Sequence, residues 1–234
     1  MKVLIIIPAY NEEESIEKTV ATVTEKVPFC DYVVINDGST DRTGAICRRA
    51  GINHITLIEN LGIGGAVQTG YKYARDHGYD YAIQIDGDGQ HDPLFIPALL
   101  KVSEEGVNLV VGSRFIKHEG FQSSALRRIG IRFYAGLVSL LGRSKVTDTT
   151  SGMRVADKSV IALFAERYPA DFPETETVLT VLRRGLSVKE VPVVMKERAG
   201  GVTSITPIKS IYFMLKVTIA LVFAYMTEKP PKTQ

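Results

Sequence analysis

The first 85 residues carry four short apolar runs rich in β-branched side chains, each ending in turn-forming residues, with helical patterns between them. Residues 2–7 read as a buried strand bounded by Pro8-Ala9-Tyr10-Asn11. The spacing of Ile16, Val20, Val23 and Val27 predicts a helix next, with Asn11 as its cap and Glu12, Glu13 and Glu14 at its positive end. Residues 31–36 form a second apolar run, stopped by Asp37-Gly38-Ser39-Thr40-Asp41. Residues 53–58 and 81–85 repeat the pattern, with a helix expected over 65–77. Strands alternating with helices imply an α/β fold: a Rossmann-like, mostly parallel, twisted sheet flanked by helices. Such sheets bind ligands beyond the carboxyl ends of their strands. Asp37, Asp86 and Asp88 all fall there.

The second half is less regular. Residues 107–112 and 188–195 read as strands, the latter suited to a sheet edge because Pro192 cannot donate to a ladder. Residues 126–141, 158–167 and 175–184 read as helices, and the Pro/Lys tail at 227–234 as disordered. With 234 residues, 45% of them hydrophobic, and a net charge of +2, the composition is that of one globular domain; it excludes a disordered chain and argues against a nucleic-acid partner. Cys30 and Cys47 make neither a disulfide framework nor a zinc site. The apolar run Val3-Leu4-Ile5-Ile6-Ile7 is too short for a signal-peptide core, so a reducing, cytoplasmic setting is expected.

Chemistry concentrates in Asp86-Gly87-Asp88-Gly89-Gln90-His91-Asp92. Two carboxylates two residues apart, immediately past a buried strand, can share one hard cation. Mg²⁺ or Mn²⁺ takes oxygen ligands and commonly bridges one or two carboxylates to substrate phosphates. The same residues also form a solvated turn; their place at a strand's carboxyl end, together with the separate Asp37 turn, favours the cation. His91 reads as a surface histidine, with a diphosphate contact as the alternative. Asp37 can accept from the imide N–H of a uracil-like base, or cap a helix before Thr43.

Pro8-Ala9-Tyr10-Asn11-Glu12, Asn36-Asp37-Gly38-Ser39-Thr40-Asp41, Asn60-Leu61-Gly62-Ile63-Gly64-Gly65-Ala66, the acidic turn and Gly112-Ser113-Arg114 occur in the order seen in family 2 inverting glycosyltransferases of the GT-A fold, which this chain resembles. Within that family, Asp148-Thr149-Thr150-Ser151-Gly152-Met153-Arg154, Glu190-Val191-Pro192 and Arg198-Ala199-Gly200-Gly201-Val202-Thr203 resemble the dolichyl- and polyprenyl-phosphate sugar synthases. Met153 and Thr203 stand where those enzymes often have an aromatic residue and serine. The resemblance implies that Pro8, Ala9, Tyr10, Glu12 and Asp37 hold the base and ribose. It further implies that Asp86, Asp88 and Gln90 hold the cation and diphosphate, and that Gly64 and Gly65 let the chain approach the nucleotide.

Arg114, Arg127, Arg128, Arg132, Arg154 and Arg198 fall in segments expected to border the ligand edge, where guanidinium forks match phosphate geometry. A solvated helix face is the plainer reading for any one of the 127–132 cluster. By resemblance, Arg114, Arg128 or Arg132, and Arg198 contact the acceptor phosphate or donor diphosphate, with Ser151 in the same acceptor motif. Asp148 either orients acceptor or sugar or serves the turn. A phosphate monoester is largely ionised near neutral pH, its second pKa being about 6, so it needs alignment and charge screening rather than a strong general base.

Residues 205–226 are strongly apolar but carry Lys209 and Lys216, and the uninterrupted stretch 217–226 is half the roughly 20 residues of a spanning helix. A helix lying in the membrane interface or docking on a membrane partner is expected, aided by residues 129–141, with a buried core helix as the alternative. Taken together, residues 1–204 read as a GT-A catalytic domain, 205–226 as an amphipathic C-terminal helix and 227–234 as a tail. The expected enzyme is peripheral at the inner face of the membrane and moves a sugar from a nucleotide sugar to undecaprenyl or dolichyl phosphate. UDP-glucose or UDP-N-acetylglucosamine is favoured over GDP-mannose, because Phe172-Pro173-Glu174-Thr175-Glu176 resembles the glucosyl-type relatives. A small membrane-protein partner or a homo-oligomer is compatible with this reading. The alternatives are transfer to a saccharide hydroxyl in wall or capsule synthesis, and a non-catalytic nucleotide-binding scaffold.

Overall fold

In a computed structural model of the protein, the residues described are 1–117, 125–171, 173–196 and 207–228, with the side chains of 125–127 and 207–213 also left undescribed. Seven strands, β1 (Val3–Ala9), β2 (Asp31–Asn36), β3 (His54–Thr56), β4 (Tyr81–Gln84), β5 (Leu109–Ser113), β6 (Arg154–Asp157) and β7 (Val188–Pro192), form one sheet in the order β3-β2-β1-β4-β6-β5-β7. All pairings are parallel except those of β6, which runs antiparallel to both β4 and β5. The helices are α1 (Ile16–Lys26), α2 (Thr43–Arg49), α3 (Gly62–Asp76), α4 (Ile96–Glu104), α5 (Ala125–Gly142), α6 (Lys158–Glu166), α7 (Pro173–Arg183) and α8 (Pro207–Thr227).

Both faces of the sheet are buried, which is why the strands read as continuous apolar runs. Along β1, Leu4 and Ile6 enter one core with residues of α3, α5, α6, α7 and α8, whereas Val3, Ile5 and Ile7 enter a second core with residues of α1 and α4. Pro192 lies on the edge strand, as expected from its missing donor.

Three expectations are corrected. Asn11 does not cap α1. It adopts a left-handed φ of 55°, its Oδ1 accepts from the Thr40 N–H at 2.9 Å, and the helix begins at Ile16. A short polar side chain tolerates that conformation and bonds neighbouring backbone, here bracing the next turn instead of its own helix. β6 and α4 are additional elements; four residues of β6 after a long loop carry too little periodicity to be read as a strand. The tail does not begin at 227. Thr227 ends α8, and Glu228 is buried between Arg167 and Arg184; residues 229–234 lie outside the described residues.

α8 packs against α7 through a seam that includes Val217, Leu221 and Ala224, and Lys216 pairs with Asp171 at 2.8 Å. Its other side exposes Leu215, Ile219, Val222, Phe223 and Met226. Among the described residues no helix is long and apolar enough to cross a membrane.

Candidate active site

The carboxyl ends of β1, β2 and β4 open on a cleft of about 400 Å³, within the range of small-molecule sites. Pro8, Ala9, Tyr10, Glu12, Asp37, Asn60, Gly62, Ile63, Ala66, Asp86, Gly87 and Asp88 line it. One wall is set by pairing across β1 and β2: the Asp37 N–H donates to Ala9 O at 2.9 Å, and Asp37 Oδ1 accepts from Leu61 N–H at 2.8 Å. Asp37 is therefore tied to the start of α3, while Thr43 N–H is taken by Asp41 at 2.9 Å, so the cap before Thr43 belongs to Asp41. Glu12 accepts from Ser15 Oγ at 2.6 Å, and Tyr10 stands at the cleft with about half its surface exposed (48%).

Beside it, past the end of β4, the acidic turn adds Asp86, Gly87 and Asp88 to the lining. Asp88 Oδ1 accepts from Gln90 N–H at 3.0 Å, closing the turn. Asp86 keeps 34% of its side-chain surface open, and the rest is crowded by protein. Burial, then repulsion from Asp88, push its carboxyl up to about 7. Gly152 gives the carboxyl its room, since a Cβ there would lie 2.7 Å from Asp86 Oδ2 and push the side chain aside. Two mutually repelling carboxylates at a cleft fit a divalent cation whose remaining ligands come from water and substrate phosphate. Among the described residues no cluster of three or more His, Cys, Asp or Glu converges on one point.

Several expected contacts fall elsewhere. Gln90 turns its Nε2 away to Lys196 O at 3.0 Å and is not among the cleft-lining residues. His91 is not a surface residue. Its side chain is 3% exposed, and burial lowers its pKa to about 4, keeping the ring neutral. Gly64 and Gly65 do not line the cleft; Gly64 instead packs against the backbone of Pro169 and Ala170, where a Cβ would lie 2.1 Å from Pro169 O.

Arg114 and Asp148 form a fork. Arg114 Nε donates to Asp148 Oδ2 at 2.7 Å and Nη2 to Asp148 Oδ1 at 2.8 Å, with Thr150 Oγ1 at 2.7 Å from Nη2. Burial by itself would raise the Asp148 carboxyl, but the Arg114 contacts outweigh it and hold it below the usual carboxylate range. Asp148 has no exposed surface, which supports its turn role; the guanidinium expected on a phosphate is engaged within the protein. Ser151 is likewise buried, with its hydroxyl accepting from Met153 N–H at 3.3 Å. Arg154 is buried on β6 and donates to Ser151 O, Thr149 O and Thr177 Oγ1. Arg128 is half-buried and Arg132 exposed on α5, and neither lines the cleft; Arg198 and the Arg127 side chain lie outside the described residues.

Glu190 and Glu174 stand in segments that resemble the family, but neither side chain's role is legible in the sequence. Glu190 Oε1 accepts from Asp148 N–H at 2.7 Å and Oε2 from Thr147 N–H at 2.8 Å, so β7 pins the loop that presents the fork. Glu174 opens α7 close to Arg154, and burial raises its carboxyl despite that cation. A glutamate two residues before a β-edge proline was visible, but its partner was not.

The profile of the family described as Glycosyl transferase family 2 matches residues 4–164. The chain belongs to that family. This glycosyltransferase is 31% identical over 212 residues to the UDP-N-acetylglucosamine–dolichyl-phosphate N-acetylglucosaminyltransferase of Methanococcus voltae, covering 82% of this chain and 84% of the relative. It is 30% identical to the polyprenol monophosphomannose synthase of Mycolicibacterium smegmatis, covering 88% and 81% of the two chains. Its backbone matches glucosyl-3-phosphoglycerate synthase from Mycobacterium tuberculosis, solved with Mn²⁺ and UDP-glucose, at a TM-score of 0.69 and 21% identity over 96% of this chain and 78% of that one. That likeness establishes the GT-A fold, the mixed and mostly parallel sheet flanked by helices expected from the sequence.

Proposed function

We propose that this glycosyltransferase moves a sugar from a nucleotide sugar, a UDP-sugar in preference to GDP-mannose, to a polyprenyl phosphate, with inversion at the anomeric carbon. The observation that carries this reading is that Asp86 and Asp88 line one cleft together with Tyr10 and Asp37. The acceptor class is supported by relatives whose names specify dolichyl phosphate and polyprenol phosphate. Asp86 and Asp88 would hold Mg²⁺ or Mn²⁺; when bound, that cation neutralises charge on the leaving diphosphate. Tyr10 offers a flat apolar face to a base, and the Asp37 carboxylate suits an imide N–H. The acceptor oxygen is already anionic, so its bond to the anomeric carbon forms as the bond to the diphosphate breaks, the electron pair leaving with the diphosphate and no proton being removed. The residues therefore need to orient and screen two phosphates rather than supply a strong base.

Radiolabelled UDP-glucose, UDP-N-acetylglucosamine and GDP-mannose, each incubated with Mn²⁺ and a short polyprenyl phosphate, test this directly. One of them is expected to label the lipid extract. Labelling of a saccharide but never of the lipid would favour the hydroxyl-acceptor alternative, and nucleotide binding without any product would favour the scaffold.

The raised carboxyl of Asp86 makes a pH prediction. Because its folded-state pKa of about 7 lies above the ordinary 3.8, the cation-free protein binds an extra proton relative to the unfolded chain between those values. The stability contributed by this one group is full below that window and is lost as pH rises through it, whereas carboxylates held low by their partners, such as Asp92 and Asp148, lose theirs as pH falls. A bound cation displaces the proton, so Mn²⁺ should raise the melting midpoint at pH 8 and lose that effect below pH 6, affinity falling about tenfold per pH unit below 7. Melting curves at matched pH with and without Mn²⁺ check both signs.

For membrane contact, the proposal is peripheral attachment at the inner leaflet through the exposed apolar side of α8, with Ile129, Phe133 and Leu140 of α5 contributing. Deleting 205–234 is a poor test because Val217, Leu221 and Ala224 are core residues. Replacing exposed Ile219 and Phe223 together by serine should weaken co-sedimentation with anionic vesicles by about tenfold while leaving the melting midpoint in place. Unchanged sedimentation would reject the attachment.

A further inference from the structure

His91 closes the turn that carries Asp86 and Asp88, and its ring is spent in an unusual way. Nδ1 lies 3.1 Å from the Asp86 backbone nitrogen. A peptide N–H can only donate, so Nδ1 accepts, and the neutral ring carries its proton on Nε2. Nε2 is buried and has no hydrogen-bond partner among the described residues. Leaving a buried donor unpaired is unfavourable. A histidine kept only to fill this space would be replaceable by an apolar ring that avoids the orphan, and the one thing such a ring lacks is the acceptor facing Asp86.

The far side of the turn is fastened to the chain leaving β7. His91 forms an isolated antiparallel bridge with Met195, Lys196 N–H donates to Gln90 O at 3.0 Å, and Gln90 Nε2 donates to Lys196 O at 3.0 Å. Lys196 Nζ also pairs with Asp92 at 3.0 Å. The imidazole is the link that carries this anchorage back to the peptide of the first carboxylate.

We propose that His91 is a positioning residue for the divalent cation, its Nδ1 fixing the Asp86 peptide so that the Asp86 and Asp88 carboxylates stay directed at one ion. This rests on the reading that those two aspartates hold the cation. Groups that orient a metal ligand typically change affinity by about 10- to 100-fold when removed.

The test is direct Mn²⁺ binding, read from the electron paramagnetic resonance of free Mn²⁺ in the presence of UDP, for His91→Asn, His91→Gln and His91→Phe in the full chain. Asparagine places an oxygen near the position of Nδ1, glutamine places one near Nε2, and phenylalanine keeps the ring without an acceptor. The expected result is near wild-type affinity for His91→Asn and a loss of about 10- to 100-fold for the other two. The affinities are compared well below every variant's metal-free melting midpoint, so that a loss reports ion binding by folded protein. Equal affinities throughout, or a loss for His91→Asn as large as for His91→Phe, overturn the proposal; should His91→Phe fail to fold, the Asn and Gln pair decides it. Absence of Mn²⁺ binding by the wild type instead overturns the cation reading, and this role with it.

Discussion

Asp88→Asn is expected to lower formation of lipid-linked product by about 10³-fold or more, the scale of several kcal/mol that a cation contributes to transition-state charge. The substitution keeps the shape of the side chain and can keep the turn, since the Asn oxygen still accepts from the Gln90 N–H that Asp88 Oδ1 takes at 3.0 Å. What it removes is half of the paired charge. It also removes the second cause of the raised Asp86 carboxyl, leaving burial as the main one. Turnover, Mn²⁺ affinity and the pH dependence of that affinity should therefore change together, while UDP binding without metal stays near the wild-type value. Turnover within tenfold of wild type would show that the pair does not carry the cation chemistry, and a change confined to nucleotide binding would point to a scaffold.

Gly64→Ala should produce the largest loss of stability. Its Cβ would stand 2.1 Å from Pro169 O and 2.5 Å from Ala170 O, and both are backbone atoms that cannot rotate away. The start of α3 and the chain between α6 and α7 must then separate, an overpacking cost of about 3 kcal/mol or more. For a chain of this size that corresponds to a fall in melting midpoint of roughly 6–12 °C. Gly130→Ala, on α5 with no atom of the described residues within 4 Å of the added one, is the control and should be neutral or stabilising by up to about 1 kcal/mol. If both variants melt alike, close backbone approach is not why residue 64 is glycine.

That glycine shows how far reading along the chain reaches. The family resemblance implied an approach to the nucleotide for Gly64; its actual neighbour lies over a hundred residues away, and nothing local indicates it. Asp37, Asp86 and Asp88 were legible because strand ends are marked by the switch from apolar runs to turn residues, and parallel sheets collect such ends at one edge. His91 was misread because a lone polar residue in an acidic turn carries no sign of burial. The chain leaving β7 pairs there, Met195 bridging to His91 and its sulfur accepting from Arg114, which follows β5. The arginines follow the same rule: their chemistry was plain, but whether a guanidinium faces a ligand or a carboxylate depends on Asp148, which only the return of the chain through β6 places opposite Arg114.

The amino-acid order by itself determined the parallel half of the sheet, the family and the acidic pair, because each is written in periodicity or in residues adjacent along the chain. The tertiary structure alone decided which polar groups are spent inside the protein and which remain to meet a ligand. Partners distant in sequence set the burial and hydrogen bonding of Arg114, Asp148, Gln90 and His91, and those contacts exist only once the sheet is assembled.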